Sequence, residues 1–262
     1  MIEINKIYNE DCLEGMQRIE SNSIDMILCD LPYGTTACKW DVIIPFDLLW
    51  EQYKRIIKDN GAIVLTAAQP FTSLLISSNL SMFKYEWIWK KHQGTGFLNA
   101  KKQPLRNHEN ICVFYKNQCT YNPQKTTGHR KVGKTKQKRP SKLEVYRELK
   151  EVVEYLDDGT RYPKTVQKFD YDKNRYDSSQ FKNRHPTQKP VKLFEYLIKT
   201  YTNEGDLILD NCIGSGTTAI SALNTNRNFI GFEKEKKYYD LANERIEQHK
   251  QKLSESLFTK QH

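Results

Sequence analysis

The run Asp206 to Glu233, "DLILDNCIGSGTTAISALNTNRNFIGFE", constrains the fold most. An apolar strand leads into a turn holding Gly214 and Gly216, then a helix-forming stretch, then a second apolar strand that ends on an acid. Two strands joined through a helix close as a right-handed crossover onto a parallel sheet, so this stretch specifies an α/β layer structure. Further short apolar runs at Ile4 to Tyr8, Ile24 to Cys29, Ala62 to Leu65, Tyr85 to Trp89 and Ile111 to Tyr115 read as strands, giving seven with Leu207 to Asp210 and Phe229 to Phe232. Helical patterns lie between several of them. Asp47 to Lys58 is one, and behind Pro190 the residues Phe194, Leu197, Ile198 and Tyr201 recur at helical spacing. The expected fold is therefore a doubly wound, mostly parallel sheet.

One segment breaks this rhythm. No acid occurs from Asn110 to Leu143, while Arg130, Lys131, Lys138 and Arg139 are among its cations. Little periodicity is visible from Gln118 to Arg184 apart from a short helical pattern, "SKLEVYRELKEVVEYL", so residues 118–184 read as an insertion between sheet halves at 1–117 and 185–262. The whole chain of 262 residues carries 41 Lys and Arg against 32 Asp and Glu, a net charge of +9, and 15 Tyr, which together suit a polyanion whose bases can be stacked upon. Its six cysteines are scattered with no CxxC pair, which implies a reduced, cytoplasmic setting and no metal site. The N-terminus lacks a signal-peptide layout, and no apolar run approaches the roughly 18 residues needed to span a bilayer.

The glycine turn is suited to a ligand. Gly214 and Gly216 let the backbone approach closely, the helix start at Thr217 presents free N–H groups, and Glu233 stands seventeen residues beyond Gly216, where an acid accepts from both hydroxyls of an adenosine ribose. Gly214-x-Gly216-x-x-Ala219 also satisfies a dinucleotide fingerprint, so a nicotinamide oxidoreductase is a rival. Asp210 weighs against it, because a carboxylate suits the ammonium of S-adenosylmethionine better than a pyrophosphate.

"DLPY", Asp30 to Tyr33, lies where chemistry collects in such a sheet, at the carboxyl end of a strand. An exocyclic amine on a base has its lone pair delocalised into the ring. Two acceptors for its N–H bonds, the Asp30 carboxylate and the Leu31 carbonyl set by Pro32, would turn that lone pair toward a methyl donor. Tyr33 offers a ring for the base to stack on, and the base must leave the duplex to reach it.

With these residues in place, the chain resembles the β-class amino-group DNA methyltransferases, the bacterial and phage N6-adenine and N4-cytosine enzymes. "DLPY" is similar to their catalytic D-P-P-Y motif and "DNCIGSGTT", with Ser215 and Thr217, to their cofactor motif D-P-F-x-G-S-G-T. "HPTQKP", holding His185, Thr187 and Lys189, resembles the segment beside the methionine part of the cofactor. "NEDCLEGM" resembles the motif in which Asp11, next to Cys12, bonds the cofactor adenine. The resemblance implies a circularly permuted, Rossmann-like seven-stranded S-adenosylmethionine-dependent methyltransferase fold, with the insertion as target-recognition region. The chain departs from the family pattern at Leu31, which replaces a proline, and at Asn211 and Cys212, which replace Pro and Phe.

The implied function is site-specific methylation of N6 of a flipped adenine in double-stranded DNA. N4-cytosine methylation is the alternative, and aspartate at position 30 leans toward adenine. A DNA-binding module without catalysis is a third reading, opposed by intact Asp30, Tyr33 and Glu233. Lys91, Arg106, Arg130, Lys131, Lys138 and Arg139 are the expected DNA contacts, and Gly94 to Arg106 is expected to form a loop near the flipped nucleotide. Further partners compatible with the resemblance are a second copy of the chain and a cognate restriction endonuclease.

Overall fold

Strand β2, Ile24–Asp30, is the axis of the molecule: apolar on both faces, it pairs in parallel with β3 (Ile57–Ala67) on one side and β7 (Leu207–Asp210) on the other. A strand reads as a continuous apolar run when helices cover both faces, and "IDMILC" is such a run. Its one acid before the end, Asp25, ties the three strands together by accepting from Leu207 N at 2.9 Å and Lys58 Nζ at 2.7 Å. The computed structural model describes residues 2–36, 38–131, 157–171 and 188–259.

The remaining strands are β1 (Lys6–Tyr8), β4 (Phe83–Thr95), β5 (Arg106–Phe114), β6 (Val166–Lys168) and β8 (Asn228–Phe232), and the sheet order is β1-β8-β7-β2-β3-β5-β4-β6. The helices are α1 (Cys12–Gln17), α2 (Phe46–Ile56), α3 (Phe71–Ser78), α4 (Val191–Tyr201), α5 (Thr217–Asn224) and α6 (Lys236–Thr259). Side chains of β3 show how the layers form. Ala62 and Val64 face a core shared with Leu193, Leu197, Ala219 and Ala242 of α4, α5 and α6. Ile63 and Leu65 face a second core with Met16, Leu49, Tyr53 and Leu75 of α1, α2 and α3. The period of two sends alternate residues to opposite faces, and each large apolar side chain so buried contributes roughly 1.5–3 kcal/mol. Helix α1 lies so close to β8 that a Cβ at Gly15 would overlap the Phe232 ring.

The sheet has eight strands rather than the expected seven. The additional one, β6, is three residues long and lies inside the stretch read as an insertion, too short and too polar ("VQK") to show a period. It pairs with β4 at Ile88↔Val166. The sheet is also mixed, because β5 runs antiparallel to both β3 and β4. The expected loop from Gly94 to Arg106 is shorter, since Thr95 and Arg106 are themselves paired and a 3₁₀ turn at Phe97–Asn99 caps the hairpin. Residues 123–164 form a separate compact unit. In its described part Thr126 and Arg161 exchange backbone hydrogen bonds at 3.0 Å, and the Arg161 guanidinium holds Asp157 at 2.7 and 3.0 Å. The expected helix over 141–156 lies outside the described residues, as do Lys138, Arg139, His185 and Thr187. No helix among the described residues is long and apolar enough to cross a membrane.

Candidate active site

Three successive parallel strands, β8, β7 and β2, deliver Glu233, Asp210 and Asp30 to one edge of the sheet. Neighbouring strands are about 4.8 Å apart, so the carboxylates step along the edge over about 10 Å. All three line one cavity of about 650 Å³. This is the place where open α/β sheets bind ligands.

Asp30 is held from three sides. Its Oδ1 accepts from the Tyr33 hydroxyl at 2.8 Å and from the hydroxyl of Thr66, its register partner on β3, while Oδ2 receives Lys189 Nζ at 2.6 Å. Tyr33 is stacked on Phe71, with ring centroids 5.0 Å apart and planes 23° from parallel. Burial and the charges of Asp30 and Glu109 hold its hydroxyl proton well above the usual tyrosine range. Leu31 has its side chain buried in the core, so the leucine anchors this turn by packing where the family pattern has a proline ring.

Lys189 continues into a buried chain of charge. Its ammonium lies 3.3 Å from Glu109 Oε2, in ion-pair range although not aligned as a hydrogen bond, and Glu109 Oε1 meets Lys91 Nζ at 2.5 Å. Burial opposes the charged form of Lys189, but the carboxylates of Asp30 and Glu109 outweigh it and hold the proton above the ordinary lysine range. Lys91, expected among the DNA contacts, has a side chain only 9% exposed, its ammonium resting on Glu109 at the pocket wall. Arg106 is exposed at the start of β5, and Arg130 and Lys131 are exposed in the compact unit.

The other end of the pocket is built on the glycine turn. Gly216 has φ +79°, in the left-handed region, and a Cβ there would stand 3.2 Å from Ala242 Cβ. Glu233 spans the turn, accepting from Gly214 N at 2.9 Å and Glu235 N at 2.8 Å. Burial raises its carboxyl above the usual range. Asp210 accepts from Cys212 N at 3.1 Å and from the Thr218 hydroxyl, yet burial still pushes it up to about 7. Ser215 and Thr217 are buried in the turn and the first helical position. Asp11 caps α1 through Leu13 N at 2.9 Å and meets Lys234 Nζ at 3.1 Å.

The two departures in this motif have a structural explanation. Asn211 is buried, its Oδ1 accepting from Tyr53 OH at 2.5 Å and its amide 3.6 and 3.5 Å from the sulfurs of Cys12 and Cys212. Rings still line the pocket, supplied by Phe194 and Phe232. Asp41 was not anticipated. Its carboxylate gathers Gly34 N, Thr35 N and Thr36 N at 2.9, 2.9 and 2.7 Å, fixing the loop that follows "DLPY". Burial works against its ionisation, but these bonds and the Thr36 hydroxyl prevail and hold it below the ordinary range.

A protein-family model described as DNA methylase, of the N6/N4 methyltransferase type, matches residues 24–244. The chain belongs to this family. The methylase is 29% identical over 254 residues to the type II methyltransferase M.HpaI of Haemophilus parainfluenzae, covering 90% of this chain and 72% of that one. It is 27% identical over 265 residues to the DNA adenine methyltransferase YhdJ of Escherichia coli K12, covering 94% and 83%. Its fold is shared with the M1.HpyAVI–SAM complex, with a TM-score of 0.59, 24% identity and coverage of 92% and 98%.

Proposed function

We propose that this methylase is site-specific and moves a methyl group from S-adenosylmethionine to N6 of an adenine turned out of double-stranded DNA. The observation that carries this reading is the row of strand-end carboxylates Glu233, Asp210 and Asp30 in one pocket. Their chemistry fits the cofactor: a positive-φ turn at Gly216 leaves room for close approach, buried Asp210 suits an ammonium, and Glu233 suits two ribose hydroxyls. Gly214, Ser215 and Thr217 would complete the cradle, with Asp11 and Cys12 toward the adenine of the cofactor, and His185 and Thr187 as expected contacts near its methionine part. When bound, S-adenosylmethionine supplies an electrophilic methyl group.

The chain's own part is to prepare the amine. Asp30 and the Leu31 carbonyl accept its two N–H bonds, Pro32 restrains the turn, and Tyr33 stacks on the base. The 118–184 region, with Arg130, Lys131, Lys138 and Arg139, is the target-recognition region of this reading, and Arg106 adds a phosphate contact from the hairpin. Aspartate at position 30 and the likeness to YhdJ favour adenine over cytosine. The enzyme would work in the cytoplasm on chromosomal DNA. A second copy of the chain and a cognate restriction endonuclease are its further proposed partners, tested by solution mass and by protection of methylated DNA from cleavage.

Sequencing DNA from a host that expresses the chain, with a method that detects modified bases, tests the whole reading. N6-methyladenine at one recurring sequence is the expected result, and N4-methylcytosine or unmodified DNA would overturn it.

Two further outcomes follow from the site. Binding an ammonium favours ionised Asp210, which below about 7 holds a proton. Cys29 and Cys212 face it as neutral thiols; burial raises Cys29 although its hydrogen bond with Cys212 pulls the other way, Cys212 is held up, against the opposing bond from Cys12, by Cys29 and by burial, and Asp30 adds a like charge to Asp210. Cofactor affinity, measured by calorimetry, should rise with pH up to about 7 and fall again above about 8, where the amine of the ligand loses its own proton. Asp210→Asn should remove the rising limb. Replacing Arg130, Lys131, Lys138 and Arg139 together with alanine should weaken DNA binding and reduce the salt slope by up to about four, one per phosphate contact, in a titration of affinity against salt. An unchanged slope would place the phosphate contacts elsewhere.

A further inference from the structure

Three of the roughly four acceptor positions of the Asp30 carboxylate are already taken in the protein alone. An ionised carboxylate has about four lone-pair positions. Tyr33 and Thr66 take those on Oδ1, and Lys189 takes one on Oδ2 at 2.6 Å. The same ammonium lies over the Tyr33 ring, 5.6 Å from its centroid, and that ring is also stacked on Phe71. Lys189 therefore covers both features that a flipped base would use, the acceptor for its amine and the ring for its face.

Beside it stands an acceptor that the lysine meets as an ion pair but not as an aligned hydrogen bond. Glu109 Oε2 is buried without a hydrogen-bond partner and is 3.3 Å from Lys189 Nζ, while Lys91 secures the other oxygen of that carboxylate at 2.5 Å. A buried carboxylate oxygen without an aligned hydrogen bond is costly, and a donor within ion-pair range is the lysine that holds Asp30.

We infer that Lys189 is a latch, resting on Asp30 and Tyr33 while no base is present and swinging to Glu109 Oε2 when the target base enters. The inference rests on the proposed function, because it takes the base to dock on Asp30 and Tyr33. The exchange keeps the buried charges balanced: Asp30 gains the amine as its donor, and the ammonium gains an aligned acceptor. It also moves a positive charge away from a nitrogen that becomes positive as it accepts the methyl group. Glu109 and Lys189 are thus positioning residues, acting through Asp30.

The test is single-turnover transfer of tritiated methyl from saturating S-adenosylmethionine to unmethylated bacterial chromosomal DNA by the full chain. Glu109→Gln, with no charge to draw the lysine away, should slow transfer by about 10–100-fold, as expected for loss of a charged hydrogen bond, while cofactor and DNA affinities stay within about threefold. Adding Lys189→Met to that variant removes the block and should recover transfer at least about tenfold. Rescue of this kind is not expected from two merely structural lesions, which add. Glu109→Asp, keeping the charge but shortening its reach, gives the same direction should the glutamine variant not fold. Wild-type rates in Glu109→Gln, or a double variant no faster than it, would overturn the latch. If the wild-type enzyme itself transfers no methyl, the proposed function falls first.

Discussion

Asp30→Ala is expected to reduce methyl transfer by about 10³-fold or more while S-adenosylmethionine affinity changes by no more than about threefold. The two effects separate because Asp30 and the acids proposed for the cofactor stand at the ends of different strands. Asp30 ends β2 and faces Thr66 of β3 and the lysine before α4, whereas Asp210 ends β7 and Glu233 follows β8. Removing the carboxylate takes away the acceptor that turns the amine lone pair toward the methyl group, so the chemical step suffers rather than the binding of its donor. Lys189, only 6% exposed, is then left with Glu109 alone, and some stability should be lost with the activity. Asp30→Asn keeps the volume and separates the two consequences, since a thermal melt near wild type with transfer still lost assigns the defect to chemistry. Tritium transfer at the wild-type rate in either variant would remove Asp30 from the mechanism.

Glu233→Ala should do the reverse, raising the dissociation constant for S-adenosylmethionine by about 10–100-fold and leaving transfer at saturating cofactor within about threefold of wild type. Each oxygen of Glu233 already accepts one backbone N–H, from Gly214 and Glu235, and retains a lone pair for a ribose hydroxyl. In the proposed reading the same side chain would bind the ligand while it shapes the turn that receives it. Glu233→Gln tests which matters more, because an amide can accept only through one atom. Calorimetry on both variants decides the matter, and an unchanged dissociation constant would mean that the ribose lies elsewhere.

Much of this site could be read from local sequence because its parts are turns at strand ends. "DLPY" and the glycine turn each combine a strand, a break and an acid within a few residues, and the helix behind Pro190 announces itself by period. Glu109 could not be read that way. It stands in "NHENICVF" with no motif, and its partners are Lys91 across the β4–β5 hairpin and Lys189 eighty residues on, brought together only by an antiparallel strand in an otherwise parallel arrangement. The available signal was a charge at the mouth of each of two apolar strands, "WIWKK" and "ENICVF", which is the pattern of an ion pair carried inward. Lys91 looked like a surface cation because its sequence neighbours, Lys90 and His92, are polar. Asp41 was hidden for another reason: it acts on backbone N–H groups, which every residue has, so nothing in its neighbours' identities marks them as partners. The polar strand β6 shows the same limit, since it owes its place to β4 rather than to a pattern of its own.

The pairing of β2 with β7 has a consequence for synthesis of the chain. Asp25 and Leu207, hydrogen-bonded in the finished sheet, are 182 residues apart. A growing polypeptide on the ribosome has made Asp30 long before Asp210 or Glu233 exists, and until β7 arrives the largely apolar strand β2 has one side unpaired, an invitation to sticking that chaperones exist to answer. Truncated products should then be inert as enzymes, because the acid proposed to act on the base and the acids proposed to hold its methyl donor come from opposite ends of the message and meet only when translation has passed both.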